Sequence, residues 1–250
     1  MGKSAVKVYV RFRPTANPST GIDVQADKKT VTIALKKDQS AGLINNQQES
    51  LTFKYDQILQ NASQETIYNT CAHEVVDSVI EGLNGTIMAY GQTGAGKTYT
   101  MSGDTSIYNQ RGIVPRAINH IFREIDMRVD RQVVVKASYL EIYNEVFYDL
   151  LSDDPGHAHE QLSVMEEQNA NGTAVGVRGI TKRAVASEEE ALSVFFMGEN
   201  GRATSQHVLN SNSSRSHCIF TLHLETLHGG DDSERCIVSK LHCVDLAGSE

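Results

Sequence analysis

Apolar residues recur along this chain with two periods. Between Glu65 and Glu81 they fall at Ile67, Cys71, Val75, Val79 and Ile80, the spacing that lines one face of a helix. Pro115 suits a first helical turn, and Ile118, Ile121, Phe122 and Ile125 behind it make a second stripe. Ser187-Glu188-Glu189-Glu190 is a capping box that opens a third helix carrying Leu192, Phe195 and Phe196. Other stretches are short and alternating or wholly apolar, as strands are: Val6 to Arg11, Thr30 to Leu35, Leu51 to Lys54, Thr86 to Tyr90, Gln132 to Tyr143, Cys218 to Thr226 and Arg235 to Asp245. Asp27-Lys28-Lys29 reads as a turn, and Gly229-Gly230-Asp231-Asp232 makes the last two strands an antiparallel hairpin. Strands interleaved with helices predict an α/β domain, a mixed central sheet flanked by helices on both faces, with a small N-terminal β lobe. No repeat or linker divides it, so one domain over 1–250 is expected.

The strand at Thr86 to Tyr90 leads into Gly91-Gln92-Thr93-Gly94-Ala95-Gly96-Lys97-Thr98, a complete G-x-x-x-x-G-K-[ST] phosphate loop. Its glycines let the backbone turn its N–H groups toward phosphate oxygens, and a helix opening at Lys97 adds positive potential. Lys97 would reach the β and γ phosphates, and Thr98 would offer its hydroxyl to Mg²⁺, a hard cation that prefers oxygen. Farther on, the strand ending at Asp245 is followed by Leu246-Ala247-Gly248, a D-x-x-G. There Asp245 can hold Mg²⁺ through water while the Gly248 N–H approaches a γ-phosphate. Taken alone, a carboxylate at a strand end is as well read as a turn or cap residue. Between the two lies Asn210 to His217, rich in hydroxyls with one cation, Arg215.

With these segments the sequence resembles the kinesin motor domain. The resemblance rests on GQTGAGKT at 91–98, N-x-x-S-S-R-S-H at 210–217, DLAGSE at 245–250, Arg11-Phe12-Arg13-Pro14, and Ser138 to Glu145 as SYLEIYNE. Within the family, Asn45 to Gln48 and Ser213 to Thr221 look most like the ninth subfamily, associated with cilia and flagella. The resemblance implies an ATPase that moves on microtubules. It puts Arg11, Arg13, Pro14 and Tyr99 around the adenine and Ser214 on Mg²⁺. Ser213 is placed against the γ-phosphate and the attacking water, and Arg215 pairs with Glu250 when the switch loops close. It also implies that the chain stops inside the second switch, with the C-terminal part of the motor fold absent, so that 1–250 is an incomplete motor domain. Cargo and dimer contacts would lie in regions outside the chain. The alternative is a non-motile, nucleotide-dependent module that binds or regulates microtubules. The location implied is the cytoplasm, on the microtubule cytoskeleton, with the axoneme of a cilium or flagellum as its narrower form.

Composition narrows the partners. A formal net charge of −8 without a dense basic stripe argues against nucleic acid. A microtubule surface is acidic, so positive charge must be gathered locally, and Arg178, Lys182 and Arg183 in a hairpin-like stretch after Gly172 are the candidates. Lys28-Lys29 and Lys36-Lys37 read as solvated charges of the N-terminal lobe. Cys71, Cys218, Cys236 and Cys243 form no C-x-x-C and are read as reduced thiols. His157 and His159 read as a solvated turn rather than a metal site. No apolar run is long enough to cross a membrane.

Overall fold

The computed structural model describes residues 6–35, 50–104, 106–128, 131–153, 162–169, 172–209, 215–228 and 235–250. Two compact units divide the chain, Met1–Ser63 and Gln64–Glu250.

In the first unit β1 (Tyr9–Phe12) pairs in parallel with β5 (Gln57–Gln60), and β2 (Ile22–Val24), β3 (Thr30–Ala34) and β4 (Ser50–Lys54) form a three-stranded antiparallel sheet. The expected turn at Asp27 is made by its carboxylate, which accepts from the Lys29 and Thr30 N–H groups at 2.8 and 2.9 Å while Lys28 takes a positive φ of 51°. The first strand starts at Tyr9 instead of Val6, whose side chain is 85% exposed. Lys36-Lys37 lies outside the described residues.

The second unit is built on a mixed sheet. Its strands are β6 (Gly85–Ala89), β7 (Arg131–Tyr143), β8 (Val146–Asp149), β11 (Arg183–Val185), β12 (Ser216–His228) and β13 (Arg235–Asp245). The order is β11-β7-β12-β13-β6, with β8 folded back on β7 and only β13 and β6 parallel. The turn into β8 was not legible as one, because Asn144 and Glu145 take φ of 50° and 63° without the glycine that usually marks such a turn. A separate antiparallel pair, β9 (Ser163–Asn169) and β10 (Gly172–Arg178), joins the strand after Gly172 to the one before it, so the stretch after Gly172 is not itself a hairpin: Arg178 ends β10, and Lys182 and Arg183 lie beyond the pair.

Helices α1 (Gln64–Cys71), α2 (His73–Ile80), α3 (Lys97–Met101), α4 (Ile113–Met127) and α5 (Glu188–Leu209) complete the unit, with a 3-10 turn at Tyr108–Gln110. The single helix expected over 65–81 is two. Hydrogen bonds continue through the junction, Ala72 N–H to Tyr68 and Val76 N–H to Ala72, but Ala72 at φ −118° bends the axis. The bend buries Tyr68, Ala72 and Val76, leaving Cys71 and Val75 only half-buried. Helix α4 starts two residues before Pro115, which a first turn tolerates because its N–H groups have no intrahelical acceptor. At α5 the Glu190 N–H donates to Ser187 Oγ at 3.2 Å, as a capping box requires, while the Glu190 carboxylate accepts from the Ala186 N–H.

Along the sheet Tyr139, Phe220, Cys243 and Ile87 stand in register on one face. Phe195 of α5 packs its ring 6.0 Å from Tyr139 and 5.1 Å from Phe220, and Ser239 Oγ on that face donates to Val79 O of α2. Helices α2 and α5 therefore lie on that side with the core, and among the described residues these contacts fall on one face where helices on both were expected. The other face carries polar pairs, Ser138 with His223 and Lys136 with Glu225, and leaves Met88 and Val238 exposed.

Candidate functional site

Parallel pairing of β6 and β13 sets Ala89 beside Asp245, so both strands release their C-terminal ends at one edge of the sheet. Carboxyl ends of parallel strands are where such sheets bind ligands. β6 exits into the phosphate loop, and β13 exits into Leu246 to Glu250. Strand β12 starts at the same edge, because Cys218 pairs with Asp245.

Main-chain bonds hold these exits together. Leu246 N–H donates to Ala89 O at 3.3 Å and Ser249 N–H to Gly91 O at 3.2 Å. Ala247 N–H donates to His217 Nδ1 at 3.1 Å, tying the β13 exit to the start of β12. Gly96 takes φ of 98° as it turns the loop into α3, a conformation costly to any residue with a Cβ. Helix α3 has only five residues, so the cationic potential at this edge comes from loop N–H groups and Lys97 more than from a helix dipole. The Lys97 ammonium donates to Gly91 O at 2.8 Å and Gln92 O at 3.1 Å, closing over its own loop.

Asp245 is the buried centre of the site. Its Oδ2 accepts from Thr98 Oγ1 at 2.7 Å and from Arg202 Nη1 at 3.0 Å, with Arg202 and Asp245 both about 5% exposed. Asp245 Oδ1 is buried with no hydrogen-bond partner among the described residues. A free carboxylate oxygen beside the Thr98 hydroxyl is the hard-oxygen donor pair that Mg²⁺ takes, so the residues present fit that ion. Arg202, on α5, went unnoticed in the sequence. The sequence signal was weak, because Glu199 lies three residues before it on the same helix and offers a local partner.

Glu250 sits at the exposed rim. Its carboxylate accepts from the Thr93 N–H at 2.9 Å and from the Thr93 hydroxyl. Those two bonds hold its pKa below the usual glutamate value, with a smaller contribution from Lys97. Gly248 admits this contact: a Cβ there would lie 2.6 Å from Thr93 Oγ1 and 2.7 Å from Glu250 Oε2. Among the described residues no ion pair joins Arg215 to Glu250, and Arg215 is exposed. Ser213 and Ser214 lie outside the described residues, as do His157 and His159.

Tyr99 follows the loop on α3, 43% exposed, with its hydroxyl 3.4 Å from Gln110 Oε1. Arg11 lies within β1 and Arg13 and Pro14 follow its end at Phe12, all three in the Met1–Ser63 unit. Of the cationic residues near the β9–β10 hairpin, Arg178 and Lys182 are exposed. Arg183 instead spends its guanidinium on Leu151 O, at 2.7 Å from Nη2. All four cysteines are free thiols, and burial pushes the Cys243 thiol up to about 12. No described helix is long and apolar enough to cross a membrane.

A phosphate loop at the exit of one parallel strand and a buried carboxylate at the exit of its neighbour define a P-loop nucleotide-binding fold. The chain belongs to the kinesin motor domain family, whose profile matches residues 11–250. It is 56% identical, over its full length, to Kinesin-like protein KLP1 of Chlamydomonas reinhardtii, and 45% identical over 99% of its length to Kinesin-like protein KIF9 of Mus musculus. It spans 32% and 31% of those relatives, about a third of their length. A solved structure of a fast kinesin, described in connection with ATPase mechanism and interactions with microtubules, superposes with a TM-score of 0.82 at 33% identity. That match covers 98% of this chain and 66% of the other. Kinesin motor domains are P-loop ATPases, which agrees with the donors gathered at this edge.

Proposed function

We propose that this chain is the ATP-binding and ATP-hydrolysing part of a microtubule motor, in which two switch segments report the γ-phosphate. The observation that carries this reading is the Thr98–Asp245 contact at the paired exits of β6 and β13. It joins the metal-binding ends of the phosphate loop and the second carboxylate segment.

Gly91 to Thr98 cradle the triphosphate with backbone N–H groups, and Lys97 exchanges its two loop carbonyls for phosphate oxygens. Thr98 and Ser214 would hold Mg²⁺, with Asp245 reaching it through water, and the ion would offset charge on the phosphate oxygens. Arg202 holds Asp245 aimed at this point. Tyr99 offers an aromatic face of the kind a purine takes, and Arg11 and Arg13 are cations that suit the same ring. Arrival of the γ-phosphate draws Gly248 N–H toward it. Glu250 then leaves Thr93 for Arg215, and Ser213 orients the attacking water. Catalysis is mostly positioning and charge stabilisation around a loose phosphoryl group.

Arg178 and Lys182, both exposed, are the track-facing cations. Resemblance to the ninth subfamily, with the KLP1 and KIF9 similarity, supports work in a cilium or flagellum.

The test is Lys97→Ala, made in a protein that joins this chain to the remainder of a kinesin motor. ATP turnover with and without microtubules is expected to fall to background. Turnover close to the parent's would reject the assignment, and a parent whose turnover microtubules do not stimulate would favour the non-motile module.

A further inference from the structure

Away from the nucleotide edge, His73 and Asp77 on α2 and His120 on α4 bring three metal-type donors together, every ligand atom within 4.8 Å of the others. His73 Nδ1 lies 3.0 Å from Asp77 Oδ2 and His120 Nε2 lies 3.2 Å from Asp77 Oδ1. The two imidazole rings are 4.4 Å apart. Spacing of His73 and Asp77 at i,i+4 puts both on one face of α2. Behind them His120 Nδ1 is 2.8 Å from the buried Tyr68 hydroxyl. In front is a cavity of about 230 Å³, lined in part by Glu65, Asn69, Arg116 and Asn119.

We propose that His73, Asp77 and His120 form a zinc site that staples α2 to α4. Zinc bonds of about 2.0–2.1 Å in a tetrahedron put neighbouring donor atoms about 3.3 Å apart; His73 Nδ1 lies 3.0 Å from one Asp77 oxygen and His120 Nε2 3.2 Å from the other, so a small turn of the carboxylate brings a single oxygen within that spacing of both rings. Two imidazoles and one carboxylate select zinc over magnesium or calcium, which take oxygen donors. Three protein ligands leave the fourth position for water from the cavity.

Ligation needs each imidazole neutral with its bonding nitrogen free. When His120 Nε2 turns to the metal its proton moves to Nδ1, where the Tyr68 hydroxyl accepts it, so the same hydroxyl serves both tautomers. Charges around the site balance. Glu65, Asp77 and Glu124 face Arg111, Arg116 and Arg123; Arg116 is turned onto Arg111 O and Asn109 O, and Arg123 lies 3.6 Å from Glu124.

The test uses the chain stripped of metal with a chelator, titrated with Zn²⁺ against a chromophoric competitor and with Co²⁺ followed by its visible absorption. One equivalent is expected to bind with a tetrahedral Co²⁺ spectrum that Zn²⁺ displaces and excess Mg²⁺ does not. Zn²⁺ is also expected to raise the thermal unfolding midpoint. Because His120 is buried, the half-buried His73 and Asp77 carry the test: His73→Ala and Asp77→Asn are expected to lose both the equivalent and the midpoint rise. Tyr68→Phe keeps the stoichiometry but binds about 10-fold more weakly. Absence of a bound equivalent, an unchanged equivalent in His73→Ala, or a sulfur-to-cobalt charge-transfer band pointing to cysteines would overturn the proposal. None of these readouts depends on nucleotide.

Discussion

Asp245 and Glu250 leave the same strand five residues apart, yet the structure treats them in opposite ways. Asp245 is buried against Arg202 and Thr98, three elements closing on one carboxylate. Glu250 is exposed and held by a single residue of the phosphate loop. A buried charge stripped of its partner costs several kcal/mol, whereas an exposed contact exchanges readily with water. One end of the segment is thereby anchored in the interior and the other held only at the surface, a contrast that suits the sensing role proposed for it.

The largest expected consequence lies at the fixed end. Arg202→Ala leaves Asp245 buried without its cation and should lower unfolding stability by about 3–5 kcal/mol, measured by denaturant titration. The double variant Arg202→Met with Asp245→Leu should recover most of that loss, since no charge is left stranded. A small loss in the single variant would mean that the corner is not the anchor.

Acid should act on the interior before it reaches the rim. Burial lowers the His223 pKa to about 3, so this ring stays neutral in the fold while the unfolded chain takes up a proton below about 6.5. More protons bound when unfolded means stability that rises with pH, so it falls progressively from pH 6.5 toward 3. At pH 5 the loss from this group is about 2 kcal/mol. His242 and His120, also lowered by burial, add to it. Glu250 has a lowered pKa, so the contribution of its contact with Thr93 is complete above the ordinary value of 4.5 and is lost only as pH falls below it, outside the range from pH 8 to 5. Thermal unfolding between pH 8 and 5 checks this, and His223→Gln should flatten the profile.

Smaller effects belong to the rim. Gly248→Ala places a methyl against Thr93 and Glu250, so amide exchange at Thr93 should quicken several-fold with little change in stability. Glu250→Ala should leave the unfolding midpoint within scatter of the parent.

What the sequence disclosed follows the same division. The phosphate loop, the strand ending at Asp245 and the long strands of the sheet were legible because their signals are local. The loop needs a fixed spacing of glycines and lysine, and the strands need only their apolar runs. The Ala72 bend was hidden because the helical hydrogen bonds run through it and only the buried face shifts. β5 and β8 are four residues each, too short for periodicity to mark. Arg202 was invisible because its meaning depends on Asp245, which is far away in sequence and adjacent only once β13 and α5 are packed. The histidines of α2 and α4 were missed for the same reason, since neither helix holds the full donor set.

The central claim is that Glu250 moves from Thr93 to Arg215 when the γ-phosphate arrives, while Asp245 stays in place. Its most direct test is to measure ATP binding and ATP hydrolysis side by side in Glu250→Ala, within a motor that includes this chain. Binding within a few-fold of the parent, with hydrolysis reduced by orders of magnitude, is the expected result. Binding lost in parallel with hydrolysis, or hydrolysis left intact, would contradict it.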